Sequence, residues 1–114
     1  MSERIFVLGA GRAGLGLARA LRASGADVVG VHGRHNAGGP DRITTGELPR
    51  GLQGADVVLI AVRDAQIDDA VRELDAAGLA PGTVVLHASG SAEPATLDEL
   101  RARGFPCGTF HPLL

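Results

Sequence analysis

Four stretches of the chain are apolar, rich in β-branched residues and free of polar alternation: Arg4 to Leu8, Asp27 to Val31, Ala55 to Val62 and Thr83 to His87. A strand with one wet face alternates apolar and polar positions; continuous apolar runs instead predict parallel strands covered on both faces. Pro106 to Phe110 is a weaker fifth candidate. Between the runs the period changes. Leu17 and Leu21 repeat at a spacing of four, and Ile67, Ala70, Val71 and Leu74 follow the i, i+3, i+4, i+7 rule of an amphipathic helix. Gly25, Gly78 and Gly104 stand where helices should stop, and Pro94 after Glu93 suits a first helical turn. From Gly33 to Gly54 the chain carries Gly38-Gly39-Pro40, Gly46, Pro49 and Gly51 with little periodicity. A loop or short irregular turn is expected there, where related folds place a helix.

This alternation predicts an α/β fold, a doubly wound parallel sheet of the Rossmann type with right-handed crossovers and helices on both faces. At 114 residues the chain has the size of a single domain, expected over 1–114. In such a sheet a ligand cleft lies beyond the carboxyl ends of the strands, where the strand order reverses.

Composition narrows the partners. With 11 basic and 13 acidic residues the net charge is −2, and the chain has no Trp, no Tyr and three Phe. Neither a basic footprint nor stacking platforms for nucleic acid exist. No apolar run approaches the ~20 residues that span a bilayer, and Met-Ser-Glu-Arg leads directly into a strand, leaving no room for a signal peptide. A cytoplasmic location is expected, with no membrane or nucleic-acid partner. The single Cys107 forms no internal disulfide and has no activating neighbour in Pro106-Cys107-Gly108. No C-x-x-C or H-x-x-x-H spacing offers a metal site, and Ala88-Ser89-Gly90-Ser91 is not a G-x-S-x-G nucleophile elbow.

The positive chemistry begins at Gly9-Ala-Gly11-Arg12-Ala13-Gly14, a G-x-G-x-x-G that follows a strand and opens a helix. Gly9 allows the sharp turn, Gly11 lets the backbone approach a pyrophosphate, and Gly14 lets the helix pack closely on the strand. Free N–H groups at the helix start then face the phosphates. Arg12 is a candidate for the pyrophosphate or a solvent-facing side chain. An NAD site usually places an acid about 20 residues beyond the glycines. Here that place reads Val31-His32-Gly33-Arg34-His35, with Arg34 20 residues after Gly14. A guanidinium there can pair with a 2′-phosphate and stack on adenine, so NADP is favoured over NAD, with Gly33 and His35 beside it and His32 and His35 as secondary phosphate contacts. The alternative is a solvated basic loop.

The remaining polar clusters fall on the same rim. Val62 and Arg63 end the third strand toward the ribose or phosphates, and Asp64 is expected as an N-cap. Ser89 follows the fourth strand, where it can reach a substrate oxygen or the nicotinamide, or serve a turn. His87 reads as a satisfied core histidine, and His111 beside Pro112 is the best acid–base candidate by position.

Taken in order, Gly9-x-Gly11-x-x-Gly14, Gly33-Arg34, Ala61-Val62-Arg63-Asp64, His87-Ala-Ser89-Gly90 and Phe110-His111-Pro112-Leu113 resemble the N-terminal domain of the Rossmann-like oxidoreductases allied with 6-phosphogluconate dehydrogenase and pyrroline-5-carboxylate reductase. The resemblance spans essentially the whole chain. It implies NADP held by Gly9, Gly11, Gly14 and Arg34, with Ser89, Gly90 and His111 near the nicotinamide or substrate. It also implies hydride transfer between NADPH and a small carbonyl, imine or hydroxy acid. Members of that family continue past the His-Pro-Leu segment into a helical domain that completes the pocket and forms a dimer, whereas this sequence stops at Leu114. Two explanations stand: a piece of a longer reductase, favoured by the abrupt apolar end, or a single domain that binds nucleotide without catalysis. The apolar end suggests a surface to be covered by that further domain or by a second copy. A pure interaction module on the same scaffold is the reading from another class.

Overall fold

The computed structural model describes residues 3–35, 42–88 and 93–110. Its first strand, β1 (Arg4–Leu8), alternates sides with each residue, yet both sides are apolar: Phe6 and Leu8 face one layer and Val7 the other. The same holds for β3 (Val57–Ile60), where Val58 and Ile60 join Phe6 and Leu59 points away. That is why the sequence shows no polar alternation. With β2 (Asp27–His32), β4 (Val84–His87) and β5 (Cys107–Thr109), these strands form one all-parallel sheet in the order β2-β1-β3-β4-β5. β1 keeps the bounds of its run and β2 extends one residue beyond it, whereas β3 is shorter than its run because Ala55, Ala61 and Val62 belong to the connecting turns.

Helix α1 (Arg12–Ala23) buries Leu17 and Ala18 on one face of the sheet, against Val7, Val31, Leu59 and Ala61. Helix α2 (Ile67–Ala77) buries Ile67, Ala70, Val71 and Leu74 on the opposite face, the stripe expected from the sequence, and α3 (Leu97–Ala102) adds Leu97 and Leu100. Pro94 precedes α3, its carbonyl accepting from the Leu97 N–H at 3.2 Å. Helices α1 and α3 end at Gly25 and Gly104 as expected, each with a paired set of closing bonds: Ala26 to Leu21 and Gly25 to Arg22, then Phe105 to Leu100 and Gly104 to Arg101. Arg101 fastens α3 to the sheet margin by pairing with Glu93 and Asp98 and by donating to the Cys107 carbonyl at 3.2 Å.

Between β2 and β3, where a loop or short irregular turn is expected, the described residues hold no α-helix, and positions 36–41 lie outside them. A rudiment of a further strand remains: Thr44 forms a single parallel bridge to His32 at the sheet edge. A 3₁₀ helix (Arg50–Gly54) then inserts Leu52, fully buried, into the α2-side core. The radius of gyration, 12.9 Å, matches one compact domain.

Gly16 lies inside α1 with ordinary helical backbone and open space where a Cβ would stand. Gly16→Ala should therefore raise the unfolding free energy by about 0.5–1 kcal/mol. At Gly14 the added carbon would lie 1.8 Å from the Gly9 carbonyl oxygen, so Gly14→Ala should lower it by about 3 kcal/mol. Urea unfolding of the two variants checks both signs.

Candidate functional site

The chain runs from β1 outward to β2 and returns to the other side of β1 for β3, so the order reverses between β1 and β3. Beyond the carboxyl ends of these strands opens a cleft of about 1000 Å³, within the size range of ligand sites. Its rim is held as one ladder. The Gly9 N–H donates to the His32 carbonyl at 2.7 Å, that of Ala61 to Leu8 at 2.8 Å, and that of Ala88 to Ile60 at 2.8 Å.

The three glycines of the first turn have different surroundings. Gly9 has a φ of +130°, and a Cβ on it would lie 2.3 Å from the Ala61 carbonyl oxygen. Gly14 is buried against Gly9 and does not line the cleft. Gly11 is constrained by neither effect: its φ of −77° and ψ of −168° suit any residue, and nothing stands within 4 Å of its would-be Cβ. It lines the cleft with Arg12 and Ala13 at the start of α1. Gly33 does line the cleft, and its lack of a side chain has an internal reason, since a Cβ there would lie 2.3 Å from that of Ala10.

The sequence-predicted polar residues that the structure describes gather in this cleft. Arg34 and His35 line it beyond β2, Val62 and Arg63 beyond β3. Arg12, Arg34 and Arg63 are exposed, and none has an ion-pair partner among the described residues. Ser89, Gly90 and His111 lie outside the described residues; Ala88, just before Ser89, reaches the cleft.

Three expectations require correction. Asp64 is not an N-cap: a 3₁₀ turn over Asp64–Gln66 intervenes before α2, Arg63 occupies the capping position, and no side-chain cap bond forms. His32 does not offer its ring nitrogens to a phosphate. They are occupied, with Nε2 3.0 Å from the Gly46 carbonyl and Nδ1 2.7 Å from the Thr44 hydroxyl. Because a carbonyl only accepts, Nε2–H donates to Gly46, while Nδ1 pairs with the Thr44 hydroxyl, which also donates to the Val31 carbonyl at 3.3 Å. The ring thus ties the Thr44–Gly46 segment to the end of β2, and Gly46 becomes part of the cleft wall. His87 is only half satisfied: fully buried, it contacts the Thr109 hydroxyl through Nε2 at 2.9 Å, while Nδ1 has no partner among the described residues.

Sequence reasoning missed the opposite wall. Gln66, Asp69, Ala70 and Glu73 line the cleft from the start and flank of α2. Their i, i+3, i+4, i+7 spacing was the available signal, one step round the helix from the apolar stripe.

Replacing His32 with Phe leaves the Gly46 carbonyl and Thr44 hydroxyl without their ring partner, and should cost about 1–3 kcal/mol of stability by urea unfolding. At Cys107, burial is the main cause of a thiol pKa above its usual range, with Arg101 pulling weakly the other way. The Sγ lies 3.4 Å from the Phe105 carbonyl. Its reaction with a thiol reagent should be slow at neutral pH and accelerate as pH rises, as a stopped-flow pH series would record.

A family model described as a Rossmann-like domain matches residues 3–112. Among solved structures, the chain superposes on a protein from Bacteroides fragilis titled a "putative NADP oxidoreductase", with a TM-score of 0.72 and 19% identity. The match covers 99% of this chain and 44% of that protein, so this chain spans less than half of its length. No curated protein sequence gives a significant match.

Proposed function

The chain belongs to the Rossmann-like domain family, and from that premise we propose that it is the NADP-binding domain of an oxidoreductase. One observation carries the reading. Gly9, Gly14 and Gly33 are glycines because the protein's own atoms crowd them, whereas Gly11 has free space and an unstrained backbone, and it lies in the cleft at the strand-order reversal. A residue kept bare without any internal reason fits a ligand that comes close to the backbone, as a pyrophosphate does beside a helix N-terminus.

In this reading Gly9, Gly11, Arg12, Ala13 and Gly14 form the pyrophosphate turn, Gly14 by packing alone. Arg34, with Gly33 and His35 beside it, takes the 2′-phosphate, where a planar guanidinium pairs with two oxygens at once. Val62 and Arg63 border the ribose and phosphates. The cofactor, when bound, supplies a hydride that is exchanged with a small carbonyl, imine or hydroxy acid; the protein supplies position and electrostatics. Ser89 and His111 are the proposed substrate-side groups. The rest of the substrate pocket comes from a further domain or from a second copy of the chain, a division in keeping with the coverage of the Bacteroides fragilis protein.

Calorimetric titration with NADPH and NADH tests the assignment. The unaltered chain should bind NADPH more tightly than NADH, and Arg34→Ala should weaken NADPH by about tenfold to a hundredfold, to the NADH value. Gly11→Ala should lose both nucleotides while its melting temperature stays unchanged. Absence of binding by the unaltered chain would defeat the proposal.

A further inference from the structure

The charge of the cleft is divided between its walls. The turn after β2 contributes Arg34 and His35, while α2 contributes Asp69 and Glu73 on either side of Ala70. Ala70 is the buried member of that wall, 7% exposed, and gives it an apolar floor between two exposed carboxylates. Both carboxylates are available. Asp69 has Arg72 at 4.0 Å with both side chains largely in solvent, a pairing of little worth, and Glu73 has no partner among the described residues.

The other flank of α2 fixes the direction of this wall. There Asp68 accepts from the Thr96 hydroxyl at 2.8 Å, and Asp75 pairs with Arg103 at 2.7 Å, so that flank faces α3 and the β4–β5 half of the sheet. Asp69 and Glu73 therefore look toward the β2 half, which holds Arg34 and Gly46. In the dinucleotide reading, that is the adenosine half.

A phosphate is repelled by two carboxylates and belongs with Arg34. What suits an acidic wall with an apolar floor is a flat ring that carries a hydrogen-bond donor on its edge. Adenine has such a donor in its 6-amino group; hypoxanthine and guanine present a carbonyl oxygen at the same position, lone pair against lone pair. Resting on that dinucleotide reading, we infer that Asp69 and Glu73 select adenine by accepting hydrogen bonds from its exocyclic amine, the base lying against Ala70.

The test is calorimetric titration of the full chain with NADPH and with reduced nicotinamide hypoxanthine dinucleotide phosphate, in which an oxo group replaces that amine and N1 gains a hydrogen. The unaltered chain should favour NADPH by about tenfold, the worth of one hydrogen bond to a charged group. In the Asp69→Ala/Glu73→Ala double variant the two affinities should agree within about twofold, since the lost term is that bond. Glu73→Lys, which puts a donor where the acceptor was and leaves Asp69 as an i, i+4 partner, should shift preference toward the hypoxanthine form. Equal binding of both dinucleotides by the unaltered chain, or undiminished discrimination in the double variant, overturns this inference and leaves the cofactor assignment standing. Failure of the unaltered chain to bind either one overturns the cofactor assignment, and this inference with it.

Discussion

Close backbone approach around the first turn is the constraint on which the rest of this molecule depends. A carbon on Gly14 would meet the Gly9 carbonyl at 1.8 Å, one on Gly9 the Ala61 carbonyl at 2.3 Å, and one on Gly33 the Ala10 side chain at 2.3 Å. The three contacts fasten β1 to α1, to β3 and to the turn after β2. They let the strand ends converge enough for the Gly9 and Ala61 N–H groups to bond across them. A well-packed interior cannot absorb an intruding methyl without shifting its neighbours. The rim of the cleft is thus set by sterics before any ligand arrives, and a site prepared in this way loses little entropy when it is filled.

Electrostatics is layered on that frame from its outside. The guanidinium groups of Arg12, Arg34 and Arg63 are exposed and unpaired among the described residues, a condition that costs nothing in water. At the β5 margin, by contrast, Arg101 spends its donors on Asp98, Glu93 and the Cys107 carbonyl, and the hydrogen bonds to those carboxylates raise its pKa above the usual arginine range. The same residue type is left exposed at the cleft and fastens the chain at the other margin.

Much of this was legible in the sequence, and for a physical reason. A strand covered on both faces must be apolar at every position, so β1, β3 and β4 appeared as runs, and α2 as a stripe of period 3.6. The glycine turn was legible because few backbones tolerate its crowding. Illegible were features whose partners lie far away along an aperiodic loop. Nothing around His32 announces that Thr44 and Gly46 will enclose its ring. Asp64 reads as a cap because Asp before an apolar period usually is one, yet a 3₁₀ turn displaced the helix start by two residues, to Ile67. Asp69 and Glu73 read as an ordinary wet helix face; only the packing of α2 against β1 and β3 gives that face a cavity to border.

The Thr44 bridge carries a consequence for how such a domain can change over time. Where the sheet is welded by glycines, almost any substitution is felt throughout the core. The margin beyond β2 is different, since one imidazole and one bridging residue hold the Thr44–Gly46 segment there. Exposed residues such as Arg34 and His35 beyond β2, or Asp69 and Glu73 on α2, can be exchanged with small effects on folding, because they bury little surface. Evolution is thereby given a separable dial: what the cleft presents beyond β2 can drift by single substitutions, while the rim that the glycines weld stays fixed.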